Sequence, residues 1–240
     1  DKDGTGDNAD TDDDNDGLSD EDELSSNPET DPFNPDTDGD TYCDGPVNVT
    51  VDDVQVCEAG PDAFPTDWNE WLDTDGDGTG NNADSDDDGD GLNDFVETNS
   101  VPATNPLNPD TDDDGYCDGP VDVTINDIQV CQGGDVFPTN ETEWNDNDLD
   151  GEGDNADLDD DNDGLDDTVE LSSDPATNPF LADTDGDGIC DGLLAVKDVC
   201  TVEDRDGDGV VDKIDDFPDD PSAHIDTDGD GMPDTLNGTS

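Results

Sequence analysis

The chain has 240 residues, with 76 Asp and Glu against 4 Lys and Arg and a formal net charge of -72. Leu, Ile, Val and Phe total only 41, and two carboxylates about 4 Å apart repel by roughly 1 kcal/mol even in bulk water, so the bare chain has the composition of a disordered one. The charge excludes nucleic acids and anionic membranes as partners; no apolar run approaches the roughly 20 residues that span a bilayer, and no signal peptide is read, so a soluble, mature segment is expected.

Order enters through repetition. NPDTDGDTYCDGPVNVTVDDVQVC at 34–57 returns as NPDTDDDGYCDGPVDVTINDIQVC at 108–131 and, more loosely, as LADTDGDGICDGLLAVKDVC at 181–200. NAD recurs in step at 8–10, 82–84 and 155–157. Such periodicity predicts structural units: 1–57, 58–131 and 132–203, followed by a divergent acidic tail, 204–240.

In chain order, the first acidic run is a partial loop, Asp1, Asp3, Asp7 and Asp10, which enters at position 3 of a pattern seen complete further on. The next, DDDNDGLSDEDE at 12–23, places oxygen donors at Asp12, Asp14, Asp16 and Asp20, a turn-forming glycine at Gly17, the carbonyl of Leu18, and Glu23 at position 12. That is the EF-hand ligand spacing, which lets a chain curl around a hard cation wanting six to eight oxygens. It recurs at Asp86, Asp88, Asp90, Leu92, Asp94 and Glu97, and at Asp159, Asp161, Asp163, Leu165, Asp167 and Glu170. Magnesium, which demands tighter octahedral geometry and dehydrates reluctantly, fits these sets less well than Ca2+.

A second loop type comprises Asp36, Asp38, Asp40, Tyr42 and Asp44; Asp110, Asp112, Asp114, Tyr116 and Asp118; and Asp183, Asp185, Asp187, Ile189 and Asp191. Its twelfth position is Val47, Val121 or Leu194, so an oxygen from elsewhere must complete it. The third type, entered midway by the first residues of the chain, reads Asp73, Asp75, Asp77, Thr79, Asn81 and Asp84, then Asp146, Asp148, Asp150, Glu152, Asp154 and Asp157. The tail adds Asp204, Asp206, Asp208, Val210, Asp212 and Asp215, then Asp226, Asp228, Asp230, Met232 and Asp234, for eleven candidate calcium loops.

Between the loops, DEDEL, DFVET and DTVEL predict helices of about two turns, stopped by Pro28, Pro102 and Pro175. The segments 45–61, 119–135 and 192–203 read as hairpin inserts, with alternating β-branched residues around Asp52-Asp53 and Asn126-Asp127. Six cysteines allow fifteen pairings. Local pairing of Cys43 with Cys57, Cys117 with Cys131 and Cys190 with Cys200 is expected, because the third insert is shorter by four residues yet keeps both cysteines. Disulfides together with calcium point outside the cell. Trp68, Trp71 and Trp144, with Phe33, Phe64, Phe95, Phe137, Phe180 and Phe217, are expected to form small apolar clusters between loops, and His224 to lie at the surface. Asn48, Asn140 and Asn237 begin possible glycosylation sequons.

DAFPTDWNEWLDTDGDGTGNNADSDDDGDGLND at 62–94 and DDFPDDPSAHIDTDGDGMPD at 215–234 resemble the thrombospondin type 3 repeat, particularly its bacterial versions. GLSDEDELSSNPETDPFNPDTDGD at 17–40 is similar to a related bacterial form with a short helix and a Pro-rich turn. The resemblance implies extracellular, calcium-stabilised tandem repeats in which ions replace a hydrophobic core and regular secondary structure is scarce; the three inserts depart from it. The expected fold is thus an irregular, calcium-stabilised repeat rod with few short helices and β-hairpins. The expected function is structural, a cell-surface or matrix rod or fibre bound to calcium and associating with copies of itself, end to end or by strand addition. The alternatives are the stalk of an adhesin or ligand-binding module, and a calcium-buffering matrix protein. No nucleophile motif, phosphate loop or catalytic constellation suggests an enzyme.

Overall fold

The computed structural model describes residues 6–58 and 60–234; Asp1, Asp3 and Asn237 lie outside the described residues. Regular structure is sparse. In chain order the elements are α1 (Asp20–Ser25), β1 (Val49–Val51), β2 (Val54–Cys57), α2 (Asp94–Asn99), β3 (Tyr116–Cys117), β4 (Val123–Ile125), β5 (Ile128–Gly133) and α3 (Asp167–Ser172). The chain forms two compact units, Asp1–Glu141, which contains all elements except α3, and Thr142–Ser240.

The helices are where the acidic pattern places them, and each is only six residues long. Isolated helices of that length are unstable in water, so their ends and one inward side chain must hold them. Ser19 caps α1 by accepting from the Asp22 amide, and Asn93 caps α2 by accepting from Val96. The inward side chain is in every case a glutamate: Glu23, Glu97 and Glu170 are each completely buried.

Strands β1 and β2 pair antiparallel, as do β4 and β5, with Asp52 and Asp53, and Asn126 and Asp127, all at positive φ. Paired positive φ defines the tight turn that matches strand twist. In the second copy β3 also joins β5 in parallel through Tyr116 and Gln132; in the first this contact is a single bridge, Tyr42 to Glu58. The third insert is not a hairpin. Residues 192–203 form turns, with one bridge from Ile189 to Thr201. The four lost residues and the sequence LLAVKDV leave no second β-branched strand to pair.

The three expected disulfides are present: Cys43–Cys57, Cys117–Cys131 and Cys190–Cys200. Each centres a small apolar cluster, with Val49 and Val51, with Val123 and Ile125, and with Ala182, Val196 and Val202. The expectation of aromatic clusters fails at Phe33, Trp68 and Phe95, which are 66%, 70% and 75% exposed, because the loops there close around carboxylates and leave no apolar pocket for rings; Phe64, Phe137, Phe217, Trp71 and Trp144 are half-buried, and Trp71 stacks on Tyr42 with centroids 5.1 Å apart. Among the largest fully buried side chains are Glu23, Glu97, Glu170, Asp16, Asp88, Asp90 and Asp163. The described residues thus bury acids where an ordinary domain buries leucines.

Candidate metal centres

Ten acidic loops fall within the described residues through at least their ninth position, and all ten close with the same two hydrogen bonds. The amide at position 9 donates to the carbonyl preceding position 1, as in Asp94 to Ser85 and Asp212 to Glu203, over 2.8–3.1 Å. The amide at position 2 donates to the position 9 side chain over 2.8–3.2 Å, as in Asp13 to Asp20, Thr37 to Asp44, Asp87 to Asp94 and Thr227 to Asp234. Within the loop, one oxygen of the position 5 aspartate accepts from the amide of position 7, as in Leu18 to Asp16 at 2.8 Å and Tyr116 to Asp114 at 2.7 Å. These side-chain turns need a left-handed residue at position 6, where Gly17 and Gly91 both have φ of 94°.

The main chain therefore uses one oxygen of the inward aspartates and leaves the other, while Glu23 and Glu97 each accept from a threonine hydroxyl, Thr30 and Thr104, through one oxygen only. Asp14 Oδ2, Asp16 Oδ2 and Glu23 Oε2 are buried with no hydrogen-bond partner, as are Asp88 Oδ2 and Glu97 Oε2, and Asp161 Oδ2, Asp163 Oδ1 and both Glu170 oxygens. Carboxylate oxygens of Asp12, Asp14 and Asp16 lie within 4.8 Å of one another, and so do those of Asp86, Asp88 and Asp90, Asp36, Asp38 and Asp40, and Asp73, Asp75 and Asp77. Burial pushes the carboxyls of Glu23 and Glu97 up to about 8 and those of Asp14, Asp88 and Asp161 up to about 7, with neighbouring carboxylates adding to the rise. Buried charges normally have partners, because desolvating an unpaired one is costly. Several partnerless oxygens facing one another suit a multivalent cation taken up through oxygen.

The EF-hand-like loops draw a further carboxylate from the loop that follows. Asp16, Glu23 and Asp44 converge within 4.8 Å, all three buried; Asp118 stands likewise near Asp88 and Glu97, and Asp191 near Asp163 and Glu170. The valines and leucine at the vacant twelfth position have a different task. The amides of Val47, Val121 and Leu194 donate to the carbonyls of Asp16, Asp90 and Asp163 at 2.8, 2.8 and 2.6 Å. Gly119 donates to Asp90 Oδ2 at 2.6 Å, and a Cβ there would stand 2.4 Å from the Asp90 carbonyl oxygen. Only glycine allows that approach.

In two of the three loops of the second type, residues the spacing argument passed over could supply the missing oxygen. Asp62 and Asp135 are both 7% exposed, and each has a partnerless Oδ2. Burial, then the charges of Asp40 and Asp38, raise Asp62 to about 7; burial, then Asp114 and Asp112, do the same to Asp135. Asp38, Asp40, Asp112 and Asp114 each leave a buried Oδ2 facing them without a partner. A signal existed in the sequence. Asp62 and Asp135 stand two residues before Phe-Pro, as does Asp215 at the twelfth position of the first tail loop, so the inserts interrupt a loop between its ninth and twelfth positions.

Glu70 and Glu143 were also missed. They are buried and accept from the amides of Asn82 and Asn155 at 3.0 Å, bracing the loops at 73–84 and 146–157. In those loops Asp77, Thr79, Asp150 and Glu152 are exposed, while Asp73, Asp75, Asp84, Asp146, Asp148 and Asp157 are half-buried. Asp185, Asp187, Asp228, Asp230 and Asp234 are exposed too, whereas Asp215 is buried and Asp206 and Asp208 each keep a buried oxygen that accepts no hydrogen bond. Asp7 is exposed, and Asp10 accepts from the Thr11 amide at 2.9 Å. His224 is half-buried, its Nδ1 3.8 Å from Asp208. Asn48 and Asn140 are exposed.

The chain matches no known family and no curated protein. Three disulfides belong to an oxidising compartment. No helix among the described residues is long and apolar enough to cross a membrane.

Proposed function

We propose that this chain is an extracellular, calcium-binding structural protein, a rod or fibre element made of tandem acidic loops resembling thrombospondin type 3 repeats, and not an enzyme. The observation that carries this reading is the set of buried, partnerless carboxylate oxygens facing one another in successive loops. A bound Ca2+ would neutralise two carboxylates per ion and replace their lost hydration with direct coordination. Asp12, Asp14, Asp16, Glu23 and Asp44 would form one such set, and Asp36, Asp38, Asp40 and Asp62 the next. Disulfide-centred clusters fix the ends of the inserts, so the rigid parts of the chain alternate between covalent and ionic closure. Ion-dependent folding of this kind favours a scaffold over a buffer, because a buffer has no need to bury its ligands.

The experiment is a calcium titration followed by circular dichroism and negative-stain imaging. Saturable folding at calcium near 10⁻⁴ to 10⁻³ M, about the range of extracellular modules, with rods or fibres that dissolve in chelator, supports the reading. Binding without any change of structure would leave a buffer, and no binding would remove the reading altogether.

A further inference from the structure

Two buried carboxylates remain that none of the loop patterns uses. Asp87 and Asp160 occupy position 2 of the second and third EF-hand-like loops, where alternation assigns a spacer. The spacer at this position is uncharged at Thr37, Thr74, Thr111, Asn147, Thr184 and Thr227 and charged at Arg205 and at the half-buried Asp13 of the first EF-hand-like loop. Asp87 is only 9% exposed and Asp160 5%, and the Oδ1 of each is buried without a hydrogen-bond partner.

Their surroundings belong to the preceding loop. The twelfth residue of that loop, Asp84, turns its Oδ1 to the amides of Ser85 and Asp86 at 2.6 and 3.1 Å, and Asp157 does the same with Leu158 and Asp159 at 2.6 and 3.1 Å. The closing carboxylate of one loop therefore stands at the entrance of the next, beside position 2. The third residue of the preceding loop reaches the same place: a Cβ on Gly89 would lie 2.8 Å from Asp75 Oδ2, and the Asn162 side-chain amide donates to Asp148 Oδ2. Burial followed by the charges of Asp94, Asp84 and Asp75 lifts Asp87 to about 6, and burial with Asp167, Asp154, Asp157 and Asp148 lifts Asp160 to about 7.

We propose that Asp87 and Asp160 are calcium ligands of the preceding loop, joining Asp75 and Asp84 in one copy and Asp148 and Asp157 in the other. This rests on the calcium reading above and deepens it. The loops at 73–84 and 146–157, the more open ones by their own residues, acquire in this way a buried ligand from the entrance of the following loop, where the amides of Asp87 and Asp160 are held by Asp94 and Asp167.

Tryptophan reports on these two loops, because Trp71 and Trp144 each stand two residues before position 1; Trp71 also stacks on Tyr42 of the loop at 36–47, so the signal is read as the change between variants that leave that loop intact. Terbium bound there is sensitised by excitation of indole, and calcium competition shows that it occupies calcium positions. The double variant Asp87→Asn, Asp160→Asn keeps the position 2 amide and places the residue found naturally at Asn147, so the local turn is preserved. It should raise the terbium concentration for half-saturation by roughly tenfold or more, as expected for loss of one charged ligand. Glu97→Gln with Glu170→Gln, which damages the following loops through their own ligands, should shift the same signal less than threefold. An unchanged titration in the double aspartate variant would overturn the proposal. So would an equal shift in both variants, since Asp87 and Asp160 would then act only by folding their own loops. A wild-type chain with no saturable, calcium-displaceable emission would instead sink the calcium reading itself.

Discussion

The second and third copies of the disulfide-bearing loop share their spacing but differ in depth. At 110–118, Asp112 and Asp114 are half-buried with partnerless oxygens, β3 pairs with β5, and Asp135 closes the set from the far end of the insert. At 183–191 the same two hydrogen bonds close the loop, yet Asp185 and Asp187 are exposed and the insert makes one bridge. The chain there passes from Cys200 to exposed Glu203 and straight into the next loop at Asp204. The difference teaches that spacing makes the turn, whereas a carboxylate returned from a distant segment makes the enclosed site.

The largest expected effect separates the copies by pH. Glu97, Asp88 and Asp135 have folded carboxyl pKa values near 8, 7 and 7, above unfolded values of about 4. Groups raised in this way contribute stability below about pH 4 that is lost as pH rises through 7 to 8. Without divalent cations, units built on loops 86–97 and 110–118 should be compact at pH 4 and open by pH 8, read by hydrogen exchange. With calcium the order inverts, because protons compete for the same oxygens: acidification from pH 8 to 6 should weaken these loops more than 183–191.

Next in size is removal of the returning carboxylate. Asp135→Asn should weaken calcium at 110–118 about tenfold, while Glu203→Gln should leave 183–191 unchanged within threefold; binding isotherms followed by residue-resolved NMR decide both. Gly119→Ala drives a methyl into the Asp90 carbonyl and should cost about 2 kcal/mol, in the range of overpacking, measured as a lower melting temperature in saturating calcium. The smallest change concerns the first copy, where Thr41 sits at position 6 with φ of 88° in place of the glycine found at Gly115. Thr41→Gly should stabilise the calcium-bound protein by about 1 kcal/mol, by relief of left-handed strain.

Much of this was legible in sequence for a physical reason: loop closure, short helices and local disulfides depend on residues fewer than about fifteen apart. Asp12 to Glu23 could be read as a ligand set because its spacing alone creates the curl. Asp62 and Asp135 escape the spacing argument because an insert folds them back, and only the Phe-Pro two residues on marks their likeness to Asp215; the sharing of Asp44 leaves no local pattern at all. The aromatics misled because burial was assigned by hydrophobicity, and Phe95 yields its place to Glu97 when oxygens are what the loop encloses. The third insert misled because its cysteines promised a hairpin that LLAVKDV cannot pair.

Small-angle X-ray scattering of the chain at millimolar calcium and after chelation at pH 7.5 tests the central claim, that cations hold together what the carboxylates push apart. The account predicts the profile of a folded chain in calcium, which on chelation turns into that of a flexible chain with the roughly 50 Å radius of gyration of an unfolded chain of this length, and reverts when calcium is restored. A profile that stays folded and superimposable through both steps would contradict it.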